Sequence, residues 1–156
     1  MFYNIYNIYT KTACSILLAT GVAKLVSAFG VQPLLKQIDP VIGIQYRYLM
    51  IFVGVVELVA VILCLCSSSI RRRNEIIFCL ACCFAAYRIC LLAINQPPLC
   101  HCLGTFGEVL NIPAWLEHVL MLLSLLYLFV GSGTFFCAQV YSRFVRTARQ
   151  PYEPYM

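Results

Sequence analysis

The sequence predicts an all-α protein built as a four-helix transmembrane bundle with both termini cytoplasmic, and three observations lead there. First, 62 % of the 156 residues are hydrophobic and only 11 % are charged, where a soluble domain has roughly a quarter charged. Second, the apolar residues gather into four runs, at about 12–29, 48–66, 76–94 and 115–136. Each is near the ~20 residues that a helix needs to cross ~30 Å of hydrocarbon. Third, the runs neither alternate nor come as the many short segments of a membrane barrel. Residues 1-156 read as one integral membrane domain with no soluble domain attached.

The first run is preceded by Tyr3-Asn4-Ile5-Tyr6-Asn7-Ile8-Tyr9, and tyrosines this dense beside a membrane entry read as an interfacial aromatic anchor. A cleaved signal peptide is the rival reading of this end, with Val26-Ser27-Ala28 as its small-residue site. Lys24 inside the run argues instead for a retained helix. The connection to the second run contains Pro33, Pro40 and Gly43, the punctuation of a surface loop with room for a short interfacial turn.

The second connection holds Arg71, Arg72 and Arg73, and the C-terminal tail holds Arg143, Arg146 and Arg149, so these two segments carry six of the eleven basic residues. The connection between the third and fourth runs has none. Basic residues concentrate in cytoplasmic loops. Both termini are therefore expected in the cytoplasm and the third connection outside it. In a bacterium this describes a multi-pass inner-membrane protein with that connection on the periplasmic side. The net charge of +5 is explained by topology, so lipid is an implied partner and nucleic acid is not.

Three ionisable residues fall inside the runs: Lys24, Glu57 and Arg88. At 1.5 Å per residue they lie about 7, 13 and 9 Å below the outer ends of their helices. A charge in hydrocarbon costs a few kcal/mol, so each should face the bundle interior or snorkel to an interface. One reading has the two cations snorkelling while Glu57 locks to one of them. The other has both cations favouring the thiolate of a cysteine above them, with Glu57 balancing the charge.

The third connection contains Pro97-Pro98-Leu99-Cys100-His101-Cys102-Leu103-Gly104. Cys100 and Cys102 are two thiols two residues apart, with His101 between them, in a loop assigned to the oxidising side. That separation brings their Cα atoms to about 5.5–7 Å, overlapping the upper part of the disulfide range. A ring so small is strained, and strained exposed disulfides exchange readily. Pro97 and Pro98 stiffen the approach, Gly104 permits the closing turn, and His101 can activate a thiol. Cys64, Cys66, Cys79, Cys82 and Cys83 lie toward the cytoplasmic ends of the second and third runs and read as small apolar residues. Cys79 and Cys82 do share a helical face, which leaves a metal or redox relay open. Cys14, Cys90 and Cys137 read as packing residues, and Gly131-Ser132-Gly133 as a site of close helix approach. No hydrolase triad, phosphate-binding glycine loop or HExxH site is present.

Gly21 with Lys24-Leu25, then Glu57-Leu58, Tyr87-Arg88 and Cys100-His101-Cys102-Leu103-Gly104 form a pattern that resembles the MauE proteins of methylamine utilisation, within the wider DoxX-like membrane group. The likeness runs from about Lys11 to Arg143. This chain departs from the pattern in its many cytoplasmic-side cysteines and in the His between the paired thiols. The resemblance implies a role in maturing the disulfide-rich periplasmic light (beta) subunit of methylamine dehydrogenase, beside a thioredoxin-like periplasmic protein. By architecture the chain is also similar to four-helix thiol oxidases, which makes a quinone the candidate electron acceptor. The leading expectation is a membrane thiol–disulfide redox protein. Its rival is a non-enzymatic assembly or transport subunit whose Cys-His-Cys loop is structural or binds a soft metal such as Cu(I). Three adjacent ligands close a coordination sphere poorly, so no metal site is assigned.

Overall fold

The computed structural model describes residues 2–30, 33–94 and 113–149. These form α1 (Phe2–Ala28), a 3-10 turn (Pro33–Lys36), α2 (Tyr46–Cys66), α3 (Ile70–Ala93) and α4 (Ala114–Arg149), with no strand among the described residues. Every helix contains a stretch long and apolar enough to cross a membrane: Ile5–Ala28, Tyr46–Cys66, Ile70–Ala93 and Val119–Ala138. The protein is an all-α, multi-pass four-helix membrane bundle.

Three helices outrun the apolar runs that announced them. α1 starts at Phe2 rather than near residue 12, α3 takes in Arg71–Arg73, and α4 continues to Arg149 rather than ending near 136. Hydropathy marks the length of helix that lies in hydrocarbon, whereas the backbone ladder continues wherever nothing breaks it. The tyrosines before the first run also need revision as an interfacial anchor. Tyr6 and Tyr9 are helical and buried. The Tyr6 hydroxyl donates to the Ile70 carbonyl at 2.6 Å, and that of Tyr9 to the Leu128 carbonyl at 3.0 Å.

α2 and α3 are joined by three residues, Ser67 to Ser69. The turn is fixed by the Ser67 N–H donating to the Leu63 carbonyl at 3.0 Å and by Arg73 Nε donating to the Ser67 carbonyl at 2.7 Å. The helices alternate in direction. One end gathers the ends of α1 and α3 with the starts of α2 and α4, as the Tyr87–Asp39 and Arg88–Met121 contacts demonstrate. The opposite end is marked by Tyr6 against Ile70.

The most extensive interfaces join α1 to α2 and α3 to α4. On α1 the seam is Cys14, Leu17 and Gly21, all buried, with the half-buried Lys24; on α2 it is Gly54, Glu57, Val61 and Cys64, all buried. Both follow alternating steps of three and four, the period that keeps one stripe of a helix against a partner. Gly21 and Gly54 set the closest approach. A Cβ on Gly54 would lie 3.0 Å from the Gly21 carbonyl oxygen, and one on Gly21 would lie 3.2 Å from the Glu57 Cβ. Lipid tails are as apolar as Leu, so helices in a bilayer associate through such van der Waals fit and not through hydrophobic burial.

Between α3 and α4, the rings of Phe78 and Phe136 stack at 5.2 Å, and buried Asn74 donates to the Ser132 carbonyl at 3.1 Å. Gly131 lies directly under the Tyr9 ring, where any Cβ would collide, in keeping with the close approach expected of Gly131-Ser132-Gly133. Leu122, Leu123, Leu126 and Val130 on α4 are exposed, as suits a lipid-facing surface.

Candidate functional site

The end of the bundle formed by the α1–α2 connection holds a group of ionisable side chains. Glu57, only 1 % exposed, accepts from Lys24 Nζ at 2.5 Å through one carboxylate oxygen and from the Thr20 hydroxyl at 3.2 Å through the other. Thr20 and Lys24 are one turn apart on α1, so both reach the same residue of α2. The Gly21–Gly54 approach brings the two backbones near enough for a Thr side chain to span the gap. The Lys24 ammonium also lies 5.6 Å from the centre of the Phe84 ring on α3, within cation–π range. Of the two cations in the upper bundle, Lys24 is the one that reaches Glu57 and so compensates its charge. Arg88 turns toward α4, its guanidinium against the Met121 sulfur.

Above this group the α1–α2 loop folds back on itself around Asp39, which is fully buried. Asp39 Oδ1 accepts the backbone N–H groups of Val41 at 2.9 Å and Ile42 at 2.8 Å, forming an Asx-type turn. Its other oxygen accepts the Tyr87 hydroxyl from α3. The Asp39 amide donates to the Ile44 carbonyl at 2.8 Å, and Ile38 and Gln45 pair across the loop. Gly43 supplies the positive φ, 76°, that closes the turn. Arg47 donates to the Gly30 carbonyl at 3.1 Å, tying the start of α2 to the end of α1. A single carboxylate thus organises the loop and fastens it to α3.

Asp39 is the residue that the sequence reading missed. Its trace in the sequence is the Asp39-Pro40 dipeptide, a turn-initiating pair, but nothing local names Tyr87 as its partner. Cys14 reads from the sequence as a packing residue, and the structure places it in the same buried cluster as Cys64. Cys66, Cys79, Cys83, Cys90 and Cys137 are exposed on the bundle surface. Among the described residues no three His, Cys, Asp or Glu side chains converge as a metal site would require.

Pro97, Pro98, Cys100, His101, Cys102 and Gly104 lie outside the described residues. What the structure fixes is where their segment is attached. The connection leaves α3 after Ala93 and re-enters α4 at Ala114, at the end that holds Asp39, Lys24 and Glu57. Arg88 and Met121 touch one another just inside those two attachment points. Chemically, the described part of this end offers a compensated buried ion pair, an ordered loop keyed to α3, and a guanidinium below the root of the third connection.

A family model described as methylamine utilisation protein MauE matches residues 4–130. That span includes the Lys24–Glu57 pair, Asp39, Tyr87, Arg88 and the Cys-His-Cys segment. No curated protein and no solved structure matches.

Proposed function

This chain belongs to the methylamine utilisation protein MauE family, and from that premise we propose that it is a membrane thiol–disulfide redox protein acting in maturation of a disulfide-rich periplasmic partner. Family membership fits a membrane protein associated with methylamine utilisation; the redox chemistry is our reading of Cys100 and Cys102. The observation that carries it is positional. The connection bearing these two thiols is rooted at the bundle end where buried charges and the Asp39 loop are gathered. A cation near a thiol favours the thiolate, the form that attacks a disulfide.

In the oxidising direction, a partner thiolate attacks the Cys100–Cys102 disulfide and forms a mixed disulfide while releasing one loop thiolate. The partner's second thiolate then displaces the remaining loop sulfur. The partner leaves with a disulfide and the loop with two thiols, so two electrons have moved to the loop. A bilayer quinone is the candidate acceptor that reoxidises it, becoming hydroquinone. The light (beta) subunit of methylamine dehydrogenase is the candidate substrate and a thioredoxin-like periplasmic protein the candidate partner. The periplasmic side for this loop, with both termini cytoplasmic, rests on the distribution of arginines.

Trapping free thiols with an alkylating agent in intact cells tests the reading. A mixture of oxidised and reduced Cys100/Cys102 is expected, and Cys100→Ser with Cys102→Ser should abolish disulfide formation in the substrate protein. Arg88→Gln should move the pH profile of alkylation at the pair upward. Fully reduced cysteines, together with normal substrate oxidation in the double variant, would reject the redox role in favour of a docking or assembly subunit.

A further inference from the structure

We propose that Cys14 and Cys64 form a second oxidisable thiol pair, separate from the Cys-His-Cys loop, which a small diffusible peroxide closes into a disulfide between α1 and α2. The geometry comes from the α1–α2 seam. Gly21 faces Glu57 there, with 3.2 Å between the Glu57 Cβ and the position a Gly21 Cβ would take. The helices are antiparallel, so seven residues back from Gly21 on α1 and seven residues on from Glu57 on α2 give the next facing pair two turns away. Those residues are Cys14 and Cys64. Seven residues return a side chain to nearly the same stripe of a helix, and both cysteines are buried on it, 7 % and 1 % exposed. Both belong to the same buried core cluster, and the Cys64 thiol donates to the Arg73 carbonyl at 3.7 Å. Facing seam positions approach the Cβ separation of about 3.5–4.5 Å that a disulfide needs.

Burial decides which oxidant can act. A folded thioredoxin-like protein must place its own sulfur in line with the one it attacks, and a thiol 1 % or 7 % exposed offers no such access. A molecule about the size of water has no such obstacle. The chemistry balances with peroxide alone. The Cys14 thiolate, at the more exposed of the two sulfurs, attacks one oxygen, breaking the O–O bond to give a sulfenic acid and hydroxide. The Cys64 thiol then attacks the sulfenic sulfur, forming the S–S bond and releasing water. One peroxide is reduced and two thiols are oxidised. The product fixes the α1–α2 register two turns from the Lys24–Glu57 pair.

The test uses the full chain in native membranes, with Cys100→Ser and Cys102→Ser as background so that the outcome is independent of the proposed loop chemistry. Membranes are treated with hydrogen peroxide, remaining thiols are alkylated after denaturation, and peptides are analysed by mass. The expected result is joint loss of alkylation at Cys14 and Cys64, with a linked peptide lighter by two hydrogens that dithiothreitol separates. Adding Cys64→Ser should replace the link by a dimedone adduct at Cys14, the trapped sulfenic acid. Both thiols still alkylatable after peroxide, or either sulfur linked to a different cysteine, would overturn the proposal. The linked-peptide measurement stands on the chain with both cysteines intact, so it holds even if Cys64→Ser does not fold.

Discussion

The two ends of the bundle are held together by different chemistry. Where α1 turns into α2, the fastening is ionic: Lys24 on Glu57 and the Asp39 carboxylate on two backbone amides and Tyr87. At the opposite end Arg73 serves the α2–α3 turn and Arg71 pairs with Glu75 within α3, but the bonds that join one helix to another are neutral. Tyr6 and Tyr9 give their hydroxyl protons to carbonyls of α3 and α4, and Asn74 gives its own to α4. A neutral donor that loses its acceptor in a bilayer is a modest penalty, because such groups readily find other partners. A buried charge that loses its counter-charge has no comparable substitute. The ionic end should therefore behave as a set of interdependent residues, and the neutral end as a set of nearly independent ones.

The strongest challenge to this contrast is Glu57→Ala. It leaves the half-buried Lys24 ammonium without its partner and empties the buried Glu57 site, so about 3 kcal/mol of stability should be lost, measured by unfolding in mixed detergent micelles. Lys24→Met combined with Glu57→Leu should recover most of that loss by removing both charges. A double variant no more stable than the single one would mean that packing, and not charge compensation, is what Glu57 supplies.

Asp39→Ala should have the next largest effect, roughly 1.5–3 kcal/mol for hydrogen bonds to an ionised group. Amide exchange should then rise across residues 37–46 before it rises elsewhere. Tyr87→Phe should cost less, since both amide bonds to Asp39 persist. If the two variants are equally harmful, the contact with α3 matters more than the turn itself.

The smallest effect belongs to the neutral end. Tyr9→Phe keeps the ring over Gly131 and removes the bond to the Leu128 carbonyl, a change of about 0.6–1 kcal/mol. The same unfolding assay measures it, and a loss as large as that of Glu57→Ala would erase the distinction between the ends.

The fold class and the four membrane stretches were legible in the sequence because composition and run length answer to a single constraint, the thickness of hydrocarbon. The start of α1 was not. Its Tyr and Asn residues lower the local hydropathy, although Tyr6 and Tyr9 face inward. Lys24, Glu57 and Arg88 stood out because a charge within an apolar run is conspicuous on its own. Asp39 did not, since a loop aspartate is ordinary until Tyr87, far along the chain, is known to contact it. Cys14 and Cys64 became a pair only once the antiparallel register of α1 and α2 was fixed, and no local pattern encodes that register. The Cys-His-Cys segment was the most legible chemistry in the chain, and it lies outside the described residues.

The length of α4 has a mechanical consequence. Its 36 residues span ~54 Å at 1.5 Å each, of which the apolar stretch Val119–Ala138 takes up about 30 Å. Tilting the helix by ~20° shortens its projection by only about 3 Å, so the excess is not absorbed by leaning. The part from Gln139 to Arg149 is a stiff arm about 16 Å long beyond the apolar stretch, with an arginine at every third position from Arg143. Its fulcrum is the tight contact of Gly131 with the Tyr9 ring. A rotation of ~10° about that point carries the end of the helix, about 27 Å away, through about 5 Å, and whatever binds that arm from outside gains leverage on the packing of α1.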